Sequence, residues 1–451
     1  MAEKIILRKS SKYSFFVLLY FGLMAAFAVS CGSSKSIPSG SSSKKEPSKS
    51  TDKETPKKDS SKVVTTPKEP KAEKSGKATF SKKSKTDLVY NVIVTLPVAA
   101  NNSNNFDDPE LQRSAEFYTG LKTAFDSLKN GGLAIQIKVI EAPQNQAGVL
   151  AFESKSDLST TDMLIAPAQT DVVKAMAEIS KKYKVVCYSP WNTSNNLVKD
   201  NPYFVQLRPG LKTNCISIIE DIMKDHKVKD VVLLVKNPQT ERAKLDYFQE
   251  AVLSHKSNKS KEKIREISIG NNVSDIKNIE WGGEEPKVVI LPQTGPESYV
   301  KKVLETLAGW AQDKEVTVYG FPQWRDFKFL QSEVLEKLNV RISSTGYFDF
   351  DNQNTSNFAL SYYSRYQYYP TEEAMYGFDT GLYLYNQIKQ GRQLFPDKIS
   401  NEYNTLNYMT FDIKVNKKDE GSKKNEEEDI DYYENKFVQI LQFKDGKFRK
   451  E

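Results

Sequence analysis

From Leu88 onward the chain alternates between two hydrophobic periods. Short apolar runs such as VYNVIVTLP, DMLIAPA, VVCYSP, DVVLLVKN, KVVILPQ and EVTVYGFP read as strands that break into polar or proline-containing loops. LAIQIKVIEA, YFVQLRP and IREISIG read as further strands. Between these runs, apolar residues recur three and four apart in SAEFYTGLKTAFDSLKN, VVKAMAEISKKY, ISIIEDIMKDH, ERAKLDYFQEAVLS and ESYVKKVLETLAGWAQ. In the first of these helices Phe117, Leu121, Ala124, Phe125 and Leu128 share a face, and Gly131 with Gly132 stops it. Strands that are apolar throughout, separated by amphipathic helices, predict a parallel sheet covered on both faces. The units are too many for one ordinary sheet, so the pattern predicts two α/β lobes.

The later pattern is different. RISSTGYFDF is extended, and FALSYYSRYQYYPTEEAMYGFDTGLYLYNQIKQG is helical with a break at Pro370. MTFDIKV and NKFVQILQFKDGKF predict a terminal hairpin with a turn at Asp445–Gly446. The acidic run between them, residues 419–431, lacks the spaced ligands of a calcium loop and reads as a solvated insertion.

Upstream of Leu88 the periodicity disappears. Lys4, Arg8, Lys9 and Lys12 precede an apolar run from Phe15 to Val29, too short to favour a membrane span. The following AVSC resembles a bacterial lipobox, which makes Cys31 the lipidated N-terminus of the mature chain. Ala28 stands where leucine is commonest, and the competing reading is a plain signal anchor. Residues 32–87 hold fifteen lysines, seven acids, many serines and recurrent proline, with almost no large apolar side chain. Such a segment cannot bury enough surface to offset its ordering entropy and reads as a disordered tether. Its surplus of positive charge accounts for the whole net charge of +7. The folded part is therefore near neutral, which removes the case for nucleic acid. A basic leash of this kind either lies on anionic lipid or cell wall, or acts as a soluble spacer.

Two histidines, His226 and His255, both in lysine-rich stretches, argue against a histidine metal cluster or a serine–histidine triad. Cys187 and Cys215 sit in apolar contexts and read as buried free thiols rather than a disulfide. In doubly wound sheets ligands bind beyond the carboxyl ends of the strands. The residues in those places are Pro97 to Asn105, Pro167 to Thr170, Tyr188 to Ser194, Lys236 to Thr240, Gln293 with Thr294, and Pro322 to Trp324. They offer amides, hydroxyls and aromatics. None of these loops pairs a nucleophile with a base or supplies a GK[ST] phosphate loop, so no catalytic residue, metal or cofactor is expected. At Thr170 and Asp171 a helix N-terminus can take an anion, or the two side chains simply cap it.

The order and spacing of VIVTLP, FYTGLKTAFDSLKNGGLAIQIKVIEA, DMLIAPAQTDVVKAMAEISKKYKVVCYSPWNTSNN, PYFVQLRPGLKTN, AMYGFDTGLYLYNQI and FVQILQFKDGKF resemble a type I periplasmic binding protein. This is the class of the branched-chain amino-acid receptors of ABC importers, and the resemblance covers residues 88–447. It implies two doubly wound parallel-sheet lobes joined by a three-strand hinge, with crossings near Pro209, Tyr347 and Asn404. Lobe I is then 88–208 and 348–403, lobe II 209–347 and 404–451, preceded by a signal peptide at 1–31 and the tether at 32–87. The ligand contacts it implies are Ala168, Gln169, Thr170, Trp191, Asn192 and Thr193 from the first lobe and Gln239, Thr294 and Gln323 from the second. Ala166 replaces the usual glycine. Gln323 replaces the carboxylate that pairs with an amino-acid ammonium, leaving Asp326 as the nearby substitute. The functional expectation is a lipid-anchored, non-enzymatic solute receptor facing the periplasm from the outer membrane and working with an ABC permease. The alternative is an envelope scaffold or regulator that touches peptidoglycan or a protein partner.

Overall fold

The structure is a computed structural model of the 451-residue chain. It describes residues 89–97, 108–195, 197–279, 281, 283–349, 351–389, 403–405, 408–417 and 430–450. All of them belong to one compact unit, residues 78–451. The expected signal segment with Cys31, the expected tether at 32–87, residues 98–107 and most of the acidic insertion lie outside the described residues.

A first run contains β1 (Val89–Leu96), α1 (Pro109–Ser127), β2 (Ala134–Glu141), α2 (Gln146–Lys155), β3 (Met163–Ile165), α3 (Thr170–Tyr183), β4 (Val186–Ser189) and β5 (Phe204–Gln206). A second contains α4 (Leu211–Asp225), β6 (Val231–Val235), α5 (Arg242–Ser254), β7 (Arg265–Ser268), β8 (Val288–Ile290), α6 (Glu297–Ala311), β9 (Thr317–Gly320), α7 (Ser332–Lys337) and β10 (Arg341–Ser344). The chain then forms α8 (Gln353–Tyr366), α9 (Glu372–Lys389), β11 (Tyr403–Thr405), β12 (Thr410–Lys417), β13 (Ile430–Asn435), β14 (Gln439–Lys444) and β15 (Lys447–Lys450).

These strands build two sheets, ordered β11-β12-β13-β5-β4-β3-β1-β2 and β15-β14-β10-β9-β8-β6-β7. The stretch from β13 through β5 to β2 is parallel, as is that from β10 to β7. Helices cover both faces, so central strands such as β6 (VVLLV) are buried at every position. Edge strand β7 alternates between half-buried and exposed. Apolar clusters lie on each face of each sheet: α1 and α9 against one side of the first and α2 with α3 against the other, α6 with α7 and α4 with α5 against the second. Helices α1 and α9 touch backbone to backbone. A Cβ on Gly120 would collide with the Ala374 carbonyl, and one on Gly377 with the Phe117 carbonyl.

Each sheet ends in antiparallel strands. The β14–β15 hairpin turns on Asp445 and Gly446, whose φ angles of 52° and 75° suit a two-residue primed turn. MTFDIKV does not join this hairpin. It forms β12 and pairs with β13 in the first sheet.

The chain passes from the first sheet to the second between β5 and α4, returns between β10 and α8, and passes again between β13 and β14. The last crossing, at 436–438, corrects the expected position near Asn404. Strands β11, β12 and β13 therefore belong to the first lobe. Hydrophobic alternation marks β12 as a strand but does not say which sheet it joins; its partner β13 settles that, lying beside β5.

Two side chains tie the outer crossings together. Asn435 donates from Nδ2 to the Leu207 and Thr410 carbonyls (3.1 and 3.0 Å), and its Oδ1 accepts from Asp412 and Phe437 N–H. Glu434, fully buried, accepts from Gly210 N–H and Thr213 Oγ1 at the start of α4, and from Asn416 Nδ2 and Lys436 Nζ, at 2.6–2.7 Å. Burial opposes its charge, yet Lys436 and these donors hold its carboxyl below the usual 4.5. The middle crossing is held where Tyr347 N–H donates to the Tyr408 carbonyl at 3.0 Å.

Candidate ligand-binding site between the lobes

A cavity of about 530 Å³ opens between the lobes at the carboxyl ends of both sheets. Its first-lobe wall is the opening of α1 (Pro109, Gln112, Arg113, Glu116), Arg208 after β5, Thr371 to Glu373 at the start of α9, and Tyr408. Its second-lobe wall is Pro322, Gln323, Arg325 and Asp326 after β9, with Ser344 and Thr345 after β10. Local sequence explains both walls. Asp108 caps α1, its side chain accepting from Glu110 and Leu111 N–H, with Pro109 in the first turn. Pro322 opens a short 3-10 turn, and Pro370 separates α8 from α9.

The walls are charged, and the charges are ordered. Glu373 accepts from Arg208 Nη2 at 2.9 Å and from Trp191 Nε1 at 3.3 Å. The Arg208 guanidinium lies 4.6 Å over the Tyr376 ring, and the Tyr376 hydroxyl donates to the Pro190 carbonyl at 2.6 Å. Burial works against the Arg208 charge, but the Glu373 carboxylate outweighs it and raises its pKa further. Burial also pushes the Tyr376 and Tyr408 hydroxyls up, so both stay protonated donors. Glu372 bridges the lobes: it pairs with Arg325 and accepts from Tyr408 Oη at 2.8 Å. Arg325 also donates to the Gly346 carbonyl and to Ser344 Oγ, at 3.1 and 3.3 Å. Glu116 accepts from Thr371 Oγ1 at 2.7 Å. Arg113 makes no ion pair among the described residues, and its Nε is buried without a hydrogen-bond partner there.

Solved structures share this architecture. An ABC transporter substrate-binding protein from Desulfitobacterium hafniense in complex with Leu is 14% identical with a TM-score of 0.54, covering 80% of this chain and 100% of that one. The C-domain of LpoA from Haemophilus influenzae, a regulator of PBP1A, is 11% identical with a TM-score of 0.53, covering 80% and 99%. A branched chain amino acid ABC transporter periplasmic ligand-binding protein from Burkholderia xenovorans is 9% identical with a TM-score of 0.54, covering 80% and 92%. No protein-family model matches the sequence, and a search of curated proteins gives no match. The chain has the type I periplasmic binding protein fold.

Within this binding-protein fold the nine residues expected as contacts are dispersed. Gln323 lines the cavity, and Asp326 lines it beside Gln323. Trp191 stands behind the wall, packed on Phe117 with ring centres 4.8 Å apart and bonded to Glu373. Asn192 is buried and its Oδ1 accepts from Ser194 N–H at 2.8 Å, which shapes the turn. The Thr193 carbonyl accepts from Leu211 N–H, while its side chain is exposed. Ala168 packs on the first-lobe core. Gln169 donates from Nε2 to Glu110 Oε1 at 2.7 Å, beside the opening of α1, and Thr170 is exposed at the start of α3. Gln239 is exposed in the turn after β6, and Thr294 is half-buried after β8. Neither these two nor the other first-lobe residues are among the described residues of the cavity wall.

Apart from Asp326, the charged lining was not singled out from sequence. Arg113 and Glu116 lie one and two turns inside a helix, where charges usually mark a solvated face. Arg208, next to the YFVQL run, and the Glu372–Glu373 pair after Pro370 were the available signals: charges placed directly against a strand end and a helix start.

Proposed function

We propose that this chain is a substrate-binding protein that holds a small polar, charged solute between its lobes. The observation that carries this reading is the interlobe cavity of about 530 Å³ with Arg113 left unpaired among the described residues. That volume suits a small molecule. Arg113 faces the solute's carboxylate, and Glu116 or Asp326 its ammonium, so an amino acid or short peptide fits the charge pattern. Asp326 supplies the second-lobe acid that Gln323 lacks. The chain binds rather than transforms its ligand, is anchored through lipid on Cys31, faces the periplasm from the outer membrane, and delivers the solute to an ABC permease.

A second reading has its own support. Glu372 of the first lobe pairs with Arg325 of the second, a direct protein bridge between the lobes. A chain whose lobes are tied in this way can act as an envelope scaffold contacting peptidoglycan or a protein partner, and the fold is shared by a regulator of PBP1A as well as by ABC transporter substrate-binding proteins.

Thermal unfolding of the full chain with amino acids, peptides, nucleosides, sugars and wall fragments separates the two. A ligand at a hundredfold its dissociation constant stabilises by about 2.7 kcal/mol, a shift of a few degrees. No shift with any small molecule, together with capture of an envelope protein, would reject the receptor reading.

A further inference from the structure

Behind the second-lobe wall of the interlobe cavity lies a separate cavity of about 400 Å³, between the 3-10 turn Pro322–Asp326, α7 and the β14–β15 hairpin. Its walls mix aromatic and aliphatic side chains, Trp324, Phe327, Leu330, Leu335, Phe443 and Phe448, with the polar Ser332, Arg325 and Lys447. They are held in place. Phe443 and Phe448 meet edge to face at 5.1 Å, and Trp324 Nε1 donates to the Gln293 carbonyl at 2.8 Å. The charged residues in its lining are Arg325 and Lys447, both cations. Lys447 forms no ion pair among the described residues. A cavity of this size that sets apolar side chains beside a few convergent polar groups has the form of a small-molecule site.

We propose that this chamber is a second ligand site, for an anion with an apolar body: an aromatic or medium-chain aliphatic carboxylate or sulfonate. The apolar part fills the space among Phe327, Leu330 and Phe448, and the head group lies between Arg325 and Lys447. Charge selects the class. A neutral ligand leaves Lys447 without a partner, and a cationic one is repelled. Arg325 also lines the interlobe cavity, where it pairs with Glu372 across the lobes. An anion in the second chamber competes with Glu372 for that guanidinium, so occupancy of one site is coupled to closure of the other.

The test is fluorescence titration of the full chain with anilinonaphthalene sulfonate, followed by displacement with decanoate and with decanol. The expected result is one saturable site, from which decanoate displaces the dye about tenfold better than decanol. Lys447→Gln, an exposed substitution that leaves the fold intact, and Leu330→Glu each weaken decanoate by about tenfold, whereas Lys182→Gln on the first lobe changes nothing. Glu372→Gln frees Arg325 and tightens decanoate by about fivefold. Equal displacement by decanol, or unchanged affinity in Lys447→Gln and Leu330→Glu, would overturn the site. Weaker or unchanged binding in Glu372→Gln would overturn the part assigned to Arg325.

Discussion

Glu434→Gln probes the hinge with almost no change of shape. Glu434 Oε1 takes Gly210 N–H and Thr213 Oγ1, and Oε2 takes Asn416 Nδ2 and Lys436 Nζ, all from full burial. A glutamine keeps one oxygen for the first pair. Its amide NH2 then faces two donors, so two hydrogen bonds are lost and Lys436 loses its counter-ion. Hydrogen bonds to charged groups contribute about 1.5–3 kcal/mol, and breaking a buried pair costs about 3–5 kcal/mol. Lys436 is partly exposed and keeps Asn416 Oδ1 at 2.7 Å, which places the loss near the lower bound, about 3 kcal/mol. The carboxyl is held below 4.5 in the folded state, so its contribution is complete above the unfolded-state value and fades as pH falls through the folded one. Urea unfolding at pH 7 should therefore show the full gap between wild type and Glu434→Gln, and the gap should shrink on acidification below about pH 4.5. A gap under about 0.5 kcal/mol at pH 7, within the range of ordinary surface changes, would refute the reasoning. So would a gap independent of pH.

Three further outcomes are expected. Gly377→Val forces α1 and α9 apart at the Phe117 carbonyl and should destabilise the chain by about 3 kcal/mol or more in the same urea assay. Cys187 and Cys215 are buried, with burial pushing the Cys187 thiol up to about 12, so neither should react with an aromatic disulfide reagent until urea unfolds the chain. Arg113→Met should leave the unfolding midpoint within a degree or so, since Arg113 makes no ion pair among the described residues, yet weaken the interlobe ligand by about tenfold or more in calorimetry.

Much of the fold is legible in the sequence because buried parallel strands and their helices carry distinct periods. VVLLV and the face formed by Phe117, Leu121, Ala124 and Phe125 read directly as β6 and α1, and Asp445–Gly446 reads as its turn. Strand membership is less legible. The period of MTFDIKV is the same in either sheet, and its place depends on pairing with β13 across the insertion. The site is less legible still. Amides and hydroxyls after strand ends suggest hydrogen-bonding loops, but the Asn192 Oδ1 shapes its own turn and the Gln169 amide N–H is taken up by Glu110 of α1. The cavity walls are instead made of charges that sequence alone cannot tell from a solvated surface. Only packing reveals that Glu373 is engaged by Arg208 and Trp191, and that Glu372 reaches Arg325 in the other lobe.

The central claim is that a solute binds between the lobes and touches both. Hydrogen–deuterium exchange of the full chain, with and without the compound that gives the largest thermal shift, tests it most directly. The account predicts simultaneous protection of the first turns of α1, of residues 322–326 and of residues 371–373. Protection confined to one lobe, or lying away from these three segments, would contradict it.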